Sequence, residues 1–246
     1  MFLADLHVHS NFSDGVMSVP ELVDFYGKQG FGCIAITDHV CESNTILGLA
    51  AKYMRVTLNQ QSFPTYLQVI REQAERAWST YRMVVLPGFE ITKNSLSNHR
   101  SAHILGIGIN AFINPNLDVV TIAREIRAQG GLAVAAHPVP TGRAELQTLH
   151  LWSKRHVLAQ EFDAWEVASG RDLFLEVKNS GLPMIATSDL HHAKQIVGWK
   201  SLFKCERDPV EIIKSVRKQS LSFDFYTHAF ESKPVWAPTM PEMSLC

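Results

Sequence analysis

Short apolar runs alternate with amphipathic stretches along most of this 246-residue chain. Such alternation is typical of β/α units, in which helices connect and cover the strands of a parallel sheet. We predict strands at Phe2–Val8, Cys33–Thr37, Met83–Leu86, Ala102–Ile107, Leu132–Ala136, Ala164–Val167 and Met184–Thr187, and more weakly at Ser201–Lys204 and Leu221–Phe225. About eight such units in one chain favour a single α/β barrel, with functional residues at the carboxyl ends of its strands.

Helix signals lie between most of these strands. Ser18 followed by Glu21 is a capping box, and Gly30 is a stop signal twelve residues later. Apolar residues recur at helical spacing in segment 117–129, which predicts a further helix. Segment 44–82 breaks the rhythm because it has a helical pattern and no convincing strand, so we predict a helical crossover or an insertion there.

The overall composition is that of an ordinary soluble protein. Hydrophobic residues make up 46% and charged residues 19%, and the net charge is −1. This balance argues against a membrane surface or nucleic acid as the main partner, although a local groove could still be basic. The four cysteines form neither a C-x-x-C pair nor a dense framework, so we expect reduced thiols in a cytoplasmic protein.

Histidines and carboxylates recur where the predicted strands end. His7 and His9 lie two apart on the first strand, so both side chains point to one face, and Asp5 shares that parity. Asp14 and Asp38 lie in the next loops. The remaining members of the pattern, at later strand ends, are His39, Glu90, His103, His137, Asp189 and His191.

Each of these motifs alone has an ordinary structural explanation. A lone H-x-H pair is more often solvated, and a lone Asp after a strand is more often a helix N-cap. Together they would place several carboxylates in one cleft, where they repel one another unless cations neutralise them. A set of nitrogen and oxygen ligands without thiolate suits Zn, Mn or Fe, and Mg less well.

Three runs of the sequence then resemble a known family. They are Asp5-Leu6-His7-Val8-His9-Ser10, Ser13-Asp14-Gly15 and Ile36-Thr37-Asp38-His39. They are similar to the start of the PHP superfamily, the polymerase and histidinol phosphatase group of metal-dependent phosphoesterases. The later Glu, His and Asp-Leu-His motifs follow in the family's order, so the resemblance covers about residues 1–228.

The resemblance implies a distorted (β/α)7 barrel of the TIM-like PHP type over residues 1–228, followed by a tail over 229–246. It also implies two to three divalent metal ions at the carboxyl end of the barrel, with Glu90 as a bridge. The first metal would take His7, His9, Glu90 and Asp189, the second Asp14, His39 and His191, and the third Glu90, His103 and His137.

Two features bear on the substrate that the resemblance implies. Asp14 replaces a histidine common in relatives, and this form is similar to the branch of small phosphatases that act on nucleotides. That branch commonly continues its second motif with an acidic residue and Thr, whereas Val40 and Cys41 follow here. The substrate class we favour is a small phosphate monoester, a nucleotide or a sugar phosphate.

Other polar residues are weaker candidates. Arg143 follows His137 by six residues, where a guanidinium could bind a phosphate in bidentate fashion. Arg171 and Lys200 are alternatives to it. The histidines expected to have surface or structural roles are His99, His150, His156, His192 and His228.

We therefore predict a hydrolase in which a metal-bound hydroxide attacks phosphorus in line. Asp189, His191 or a metal-bound water would protonate the leaving group. One alternative is a nuclease resembling polymerase-associated PHP modules, and another is a catalytically silent PHP module that regulates a partner.

Overall fold

The structure is a computed structural model that describes residues 1–44, 57–142 and 147–227. Its strands are β1 (Phe2–Val8), β2 (Cys33–Ile36), β3 (His39–Cys41), β4 (Val84–Lys93), β5 (Ala102–Ile107), β6 (Leu132–Ala135), β7 (Ala164–Ser169), β8 (Asp172–Leu173), β9 (Met184–Thr187), β10 (Gly198–Phe203) and β11 (Leu221–Tyr226). Its α-helices are α1 (Val19–Lys28), α2 (Phe63–Tyr81), α3 (Val119–Ala128), α4 (His150–Ser153), α5 (Arg155–Leu158), α6 (Leu175–Lys178) and α7 (Pro209–Arg217). Single 3-10 turns cover Asn98–Arg100 and Ala193–Ile196.

The strands form one curled, mixed sheet in the order β11-β10-β1-β2-β4-β5-β6-β7-β8, with β3 beside β4 and β9 beside β7. The α/β class is confirmed, whereas the count of seven β/α units stays a prediction. The expectation of a parallel sheet is wrong for β5, which runs antiparallel to both β4 and β6, and for β10, which runs antiparallel to both β1 and β11. The link between β4 and β5 is only residues 94–101, too short for the crossover that a parallel partner needs.

The sheet closes on itself at one point, near the carboxyl ends of β1 and β9. Val8 and Leu190 form an isolated parallel bridge. The His9 amide donates to the Leu190 carbonyl at 2.9 Å, and the Leu190 amide donates to the His7 carbonyl at 3.2 Å. The bridge holds the first and the last of the predicted ligand motifs, His-Val-His and Asp-Leu-His, side by side.

Two apolar clusters cover the two faces of the sheet. The smaller cluster draws on eight strands and on Ile212 and Val216 of α7, so the curled sheet encloses it. The larger cluster packs the other helices on the outer face, with Tyr26 and Ile126 fully buried. Apolar side chains fill the space inside the curled sheet. The polar residues of the same strands therefore lie beyond this packed interior, at the carboxyl ends of the strands.

Local signals explain where several helices begin. The capping box predicted at Ser18 is present, since the Ser18 amide donates to the Glu21 carboxylate at 2.8 Å, and α1 ends just before Gly30 at φ 80°. The predicted helix in segment 117–129 is α3, whose N-cap Asp118 accepts from two backbone amides.

The helical pattern predicted in segment 44–82 is α2. Tyr66 of α2 is buried, and its single hydroxyl hydrogen lies between two acceptors, the carbonyls of Ile36 (3.0 Å) and Gly88 (2.9 Å). The helix thereby packs on the ends of β2 and β4. Residues 45–56 and the tail 229–246 lie outside the described residues, so the choice between a crossover and an insertion in segment 44–82 and the domain boundaries stay predictions. Among the described helices, none has both the length and the apolar composition needed to cross a bilayer.

Candidate metal centre

The side chains expected to bind metal lie together at the carboxyl end of the enclosed sheet. They are His7, His9, Asp14, His39, Glu90, His103, His137, Asp189 and His191. The parallel register of β3 and β4 sets His39 beside Glu90, and the antiparallel register of β4 and β5 sets His103 beside Thr92. His103 therefore reaches the site from the start of its strand, because that strand is reversed.

The side chains of His7 and His9 point to one side of β1, as their spacing predicts, and their Nε2 atoms lie 3.0 Å apart. Asp5 is not part of this cluster. It accepts hydrogen bonds from the Tyr26 hydroxyl at 2.7 Å and from the amide and hydroxyl of Ser188. The register between β1 and β2 shifts after Asp5, and such an irregularity breaks the strict alternation of side chains. The prediction that Asp5 shares their face is therefore wrong.

The first group of potential ligands contains His7, His9, Glu90 and Asp189. Asp189 Oδ1 lies 3.4 Å from Nε2 of both histidines. Glu90 Oε1 lies 3.6 Å from His7 Nε2, and donor atoms of the two histidines and Glu90 fall within 4.8 Å of one another. The fold thus gathers the ligands expected for a first metal, and their role as ligands stays a prediction.

The second group contains Asp14, His39 and His191. Asp14 Oδ2 lies 3.5 Å from His39 Nε2, and its Oδ1 lies 3.3 Å from His191 Nε2. His9 also belongs to this group, which the ligand set implied by the resemblance does not include. Its ring stacks on His191 with centroids 4.2 Å apart.

The third group contains Glu90, His103 and His137. Glu90 Oε1 lies 2.9 Å from His103 Nδ1 and 3.3 Å from His137 Nε2. Glu90 is thus common to the first and third groups, the arrangement that a bridging carboxylate requires. Asn94, which our sequence analysis does not single out, places its Oδ1 3.0 Å from His103 Nε2.

Backbone and side-chain contacts fix the loop that presents Asp14. Asp38 is buried and accepts from the Ser10 amide (2.9 Å), the Ser10 hydroxyl (2.6 Å) and the Ser13 hydroxyl (2.6 Å). These bonds attach the loop after β1 to the end of β2. Asp38, which we noted in the strand-end pattern, thus shapes the loop.

The electrostatics of the site are dominated by carboxylates inside a ring of imidazoles. Burial opposes the charged form of Glu90, yet His103, His39 and His7 hold the pKa of its carboxyl well below the ordinary value. Burial also opposes a charged His7, but the surrounding carboxylates raise its pKa well above normal. For His9, burial and the neighbouring imidazoles lower the pKa to about 3, so its ring is neutral at pH 7.

The donor set fits metal ions. His9 Nδ1 and Glu90 Oε2 are buried without a hydrogen bond, although His39 Nδ1 lies 2.8 Å from Glu90 Oε2. Buried polar atoms are normally satisfied, so two orphans at one site need a partner of another kind. A divalent cation accepts both a neutral imidazole nitrogen and a carboxylate oxygen.

A cavity of about 190 Å³ opens onto these groups. Its lining is Asp14, His39, Glu90, Asn94, His103, His137, Asp189 and His191. Among the described residues, neither Lys nor Arg lines it, so positive charge at the centre of the site has to come from protonated imidazoles or from bound cations.

Comparison with known proteins decides the family. The model of the PHP domain family matches residues 5–130, just over half of the chain. The chain belongs to the PHP domain family. No curated protein matches the chain.

Solved structures show the same fold. The chain is similar to a two-domain protein from Bacteroides vulgatus that contains a predicted PHP-like metal-dependent phosphoesterase, with 24% identity and a TM-score of 0.68. The alignment covers 92% of this chain and 65% of that one, so our chain spans slightly less than two thirds of that protein. It is also similar to an amidohydrolase from Chromobacterium violaceum with bound sulfate, at 18% identity, a TM-score of 0.53, and coverage of 87% and 96%.

The other candidates of this PHP domain that the structure describes do not line the cavity. Arg143 lies outside the described residues, so its substrate role stays a prediction. Arg171 lines a separate cleft of about 390 Å³ with Lys194. Lys200 is fully buried, and its Nζ lies 3.6 Å from Asp5 Oδ2. Four described histidines are not among the nine predicted metal ligands, and they do not line the cavity: His99, His150, His156 and His192. His228 lies outside the described residues.

Besides Asn94 and Thr92, sequence reasoning missed Thr148 and Glu166, which also contact predicted ligands. Thr148 Oγ1 lies 3.1 Å from His137 Nδ1, and it donates to the His137 carbonyl at 2.9 Å. Glu166 lies 2.8 Å from His7 Nδ1. The signal for Glu166 was present, because a charged residue inside an apolar strand is almost never buried without a partner. Thr148 has no such signal.

Proposed function

We propose that this PHP domain is a metal-dependent phosphoesterase that hydrolyses a small phosphate monoester, such as a nucleotide or a sugar phosphate. The observation that supports it is the sharing of a ligand, since the Glu90 carboxylate belongs to two of the ligand groups beside one small cavity. A carboxylate shared in this way would hold two cations close together, as in two-metal sites that bind phosphoryl oxygens. The description of the similar Bacteroides vulgatus protein as containing a predicted PHP-like metal-dependent phosphoesterase is consistent with this proposal.

Two to three divalent ions of Zn, Mn or Fe would be held by the three ligand groups, with Glu90 as a ligand common to the first and the third. When bound, the ions would lower the pKa of a water nucleophile and neutralise charge on the phosphoryl oxygens. No protein nucleophile is needed in this scheme.

In this scheme the chain's own residues orient the ligand side chains and protonate the leaving group. Thr92 and Thr148 contact Nδ1 of His39 (2.7 Å) and His137 (3.1 Å), and so fix two of the imidazole rings. Asp189 and His191 are the candidates to protonate the leaving oxygen. His191 is the more accessible of the two, with its side chain 21% exposed against 9% for Asp189.

The size of the cavity favours a small substrate. Sites for drug-sized ligands measure about 300–1,000 Å³, and this cavity is about 190 Å³. It suits a phosphoryl group, with the rest of the substrate lying outside. We propose Arg143 as the residue that binds the phosphate there, by a bidentate guanidinium contact.

A substrate panel tests the proposal. We expect the purified protein to hydrolyse phosphate monoesters, including a generic aryl phosphate, with added Mn²⁺, and to lose this activity with a chelator. Metal ions counted on the same sample should number two to three per chain. Faster cleavage of diesters across the panel would favour the nuclease alternative, and bound ions without any hydrolysis would favour the silent regulatory module.

A further inference from the structure

Glu166 is a fully buried carboxylate on β7, outside the three ligand groups. Its Oε1 lies 2.8 Å from His7 Nδ1 and accepts from the Thr187 hydroxyl at 2.6 Å. Its Oε2 accepts from the backbone amide of His137 at 2.7 Å. Three donors therefore converge on this one side chain.

The contact with His7 selects one form of the imidazole. A carboxylate already surrounded by donors acts as an acceptor, so the hydrogen-bond network assigns a proton to His7 Nδ1. His7 Nε2 then faces His9 Nε2 at 3.0 Å and Asp189 Oδ1 at 3.4 Å. Histidines that bind a metal through one ring nitrogen usually donate a hydrogen bond from the other nitrogen, often to a carboxylate.

The contact with His137 acts on the backbone. His137 has φ 25°, in the left-handed region that side chains other than Gly rarely occupy. Glu166 holds the amide of this residue, and Thr148 holds its carbonyl and its ring. The strained residue is thus fixed from both sides, with Nε2 3.3 Å from Glu90 Oε1.

We propose that Glu166 is a positioning residue that presets two metal-site histidines at once, His7 of the first group and His137 of the third. One carboxylate on β7 thereby couples two groups whose ligands come from different strands. The Asp14, His39 and His191 group has no contact with Glu166 among the described residues. This role rests on the proposed metal centre, and it predicts an effect that differs from group to group.

Glu166→Gln is the informative change, because it keeps the shape of the side chain and removes acceptors. A Gln has one acceptor oxygen and an NH₂ that only donates, so it cannot satisfy three donors. We expect zinc affinity at the His7 and the His137 groups to fall about 10- to 100-fold, the usual effect of losing such a partner. Affinity at the Asp14, His39 and His191 group should change by less than about threefold, since Glu166 does not touch it.

Thr187→Val is the matched control. It removes a donor from the same carboxylate oxygen and leaves the contacts to His7 and His137 in place. We expect zinc affinity to stay within about threefold of wild type at every group, because independent contacts add. Competition with a fluorescent chelator measures affinity, and anomalous scattering from crystals identifies the emptied positions. Equal losses at all three groups in Glu166→Gln, or equal losses in both variants, would overturn the positioning role.

Zinc-loaded wild type supplies a test that does not depend on the variant folding. Long-range ¹H–¹⁵N spectra should show a proton on His7 Nδ1 that exchanges slowly with water. A proton on Nε2 instead would overturn the proposal. If wild type retains no zinc, the metal centre itself is wrong; if wild type and Glu166→Gln retain it equally, only the role of Glu166 is wrong.

Discussion

The metal centre and a cleft at the opposite end of the strands are both lined by charged residues, but their polar atoms are satisfied in different ways. The cleft lies among Arg124, Arg127 and Arg217, next to the start of β7, and has a volume of about 880 Å³. The metal-centre cavity measures about 190 Å³. By size and by number of arginines, the larger cleft would be the more obvious site for a phosphate.

The arginines of the larger cleft already have partners. Arg124 makes a bidentate contact with Glu161, at 2.9 and 2.6 Å. Arg217 donates to Asp163 Oδ1 at 3.1 Å and to the Gly131 carbonyl at 2.8 Å. At the metal centre, by contrast, His9 Nδ1 and Glu90 Oε2 are buried without a hydrogen bond.

This difference shows what separates a site from a solvated surface. Charges that pair within the protein need no ligand, whereas buried polar atoms that lack a hydrogen bond within the protein can be satisfied by a bound cation. The smaller cavity is therefore the functional candidate. The comparison predicts large effects of substitution at the metal centre and small, purely structural effects at the arginine cleft.

Glu90→Gln should have the largest effect. It removes a negative charge and an acceptor oxygen from two ligand groups at once, and a neutral amide bridges metals far less readily. We expect metal occupancy to fall at the first and third groups and kcat/KM to fall more than about 100-fold, beyond the range for a residue outside the ligand shell. Anomalous scattering and steady-state kinetics measure both. Loss of a single metal would contradict the bridging role.

His103→Ala should have the next largest effect, restricted to one group. His103 contacts Glu90 and Asn94 and belongs only to the third group. We expect the third metal to be lost while the first and second stay occupied, with activity reduced less than in Glu90→Gln. The fold should survive both changes, because these side chains lie at the end of the strands and the packed interior is untouched. Metal occupancies from anomalous maps of the two variants distinguish a ligand shared by two metals from a ligand of one metal.

Most members of the cluster could be picked out from the sequence because they lie near the ends of recognisable apolar runs, and their role as metal ligands stays a prediction. His39 and Asp189 follow β2 and β9, whereas Glu90 lies within β4 and His103 near the start of β5. The antiparallel direction of β5 could not be predicted from its apolar pattern, since direction depends on how the connecting loop closes. The irregular register of β1 is a tertiary feature too, and it removed Asp5 from the cluster.

Arg143→Ala should affect substrate binding without affecting metal. If Arg143 binds the phosphate, kcat/KM for an aryl phosphate should fall about 10- to a few hundredfold, or about 1.5–3 kcal/mol for a charged hydrogen bond. Metal content should be unchanged. Arg171→Ala is the control, because Arg171 lines a different cleft. Unchanged kinetics in Arg143→Ala, or equal losses in the two variants, would contradict a phosphate contact by Arg143.

Arg217→Ala should have the smallest effect, and it tests the other half of the comparison. The Arg217 side chain is 39% exposed and joins Asp163, at the start of β7, to the carbonyls of Gly130 and Gly131. A partly exposed pair of this kind contributes about 0.5–1 kcal/mol to the free energy of unfolding. We therefore expect the melting temperature to fall by about 1–4 °C, with kcat/KM and metal content unchanged, because the strands separate this cleft from the metal centre. Urea unfolding and kinetics on one preparation measure both quantities. A kcat/KM reduced tenfold or more, with metal content intact, would mean that the arginine cleft binds substrate and that internal pairing does not distinguish the two regions.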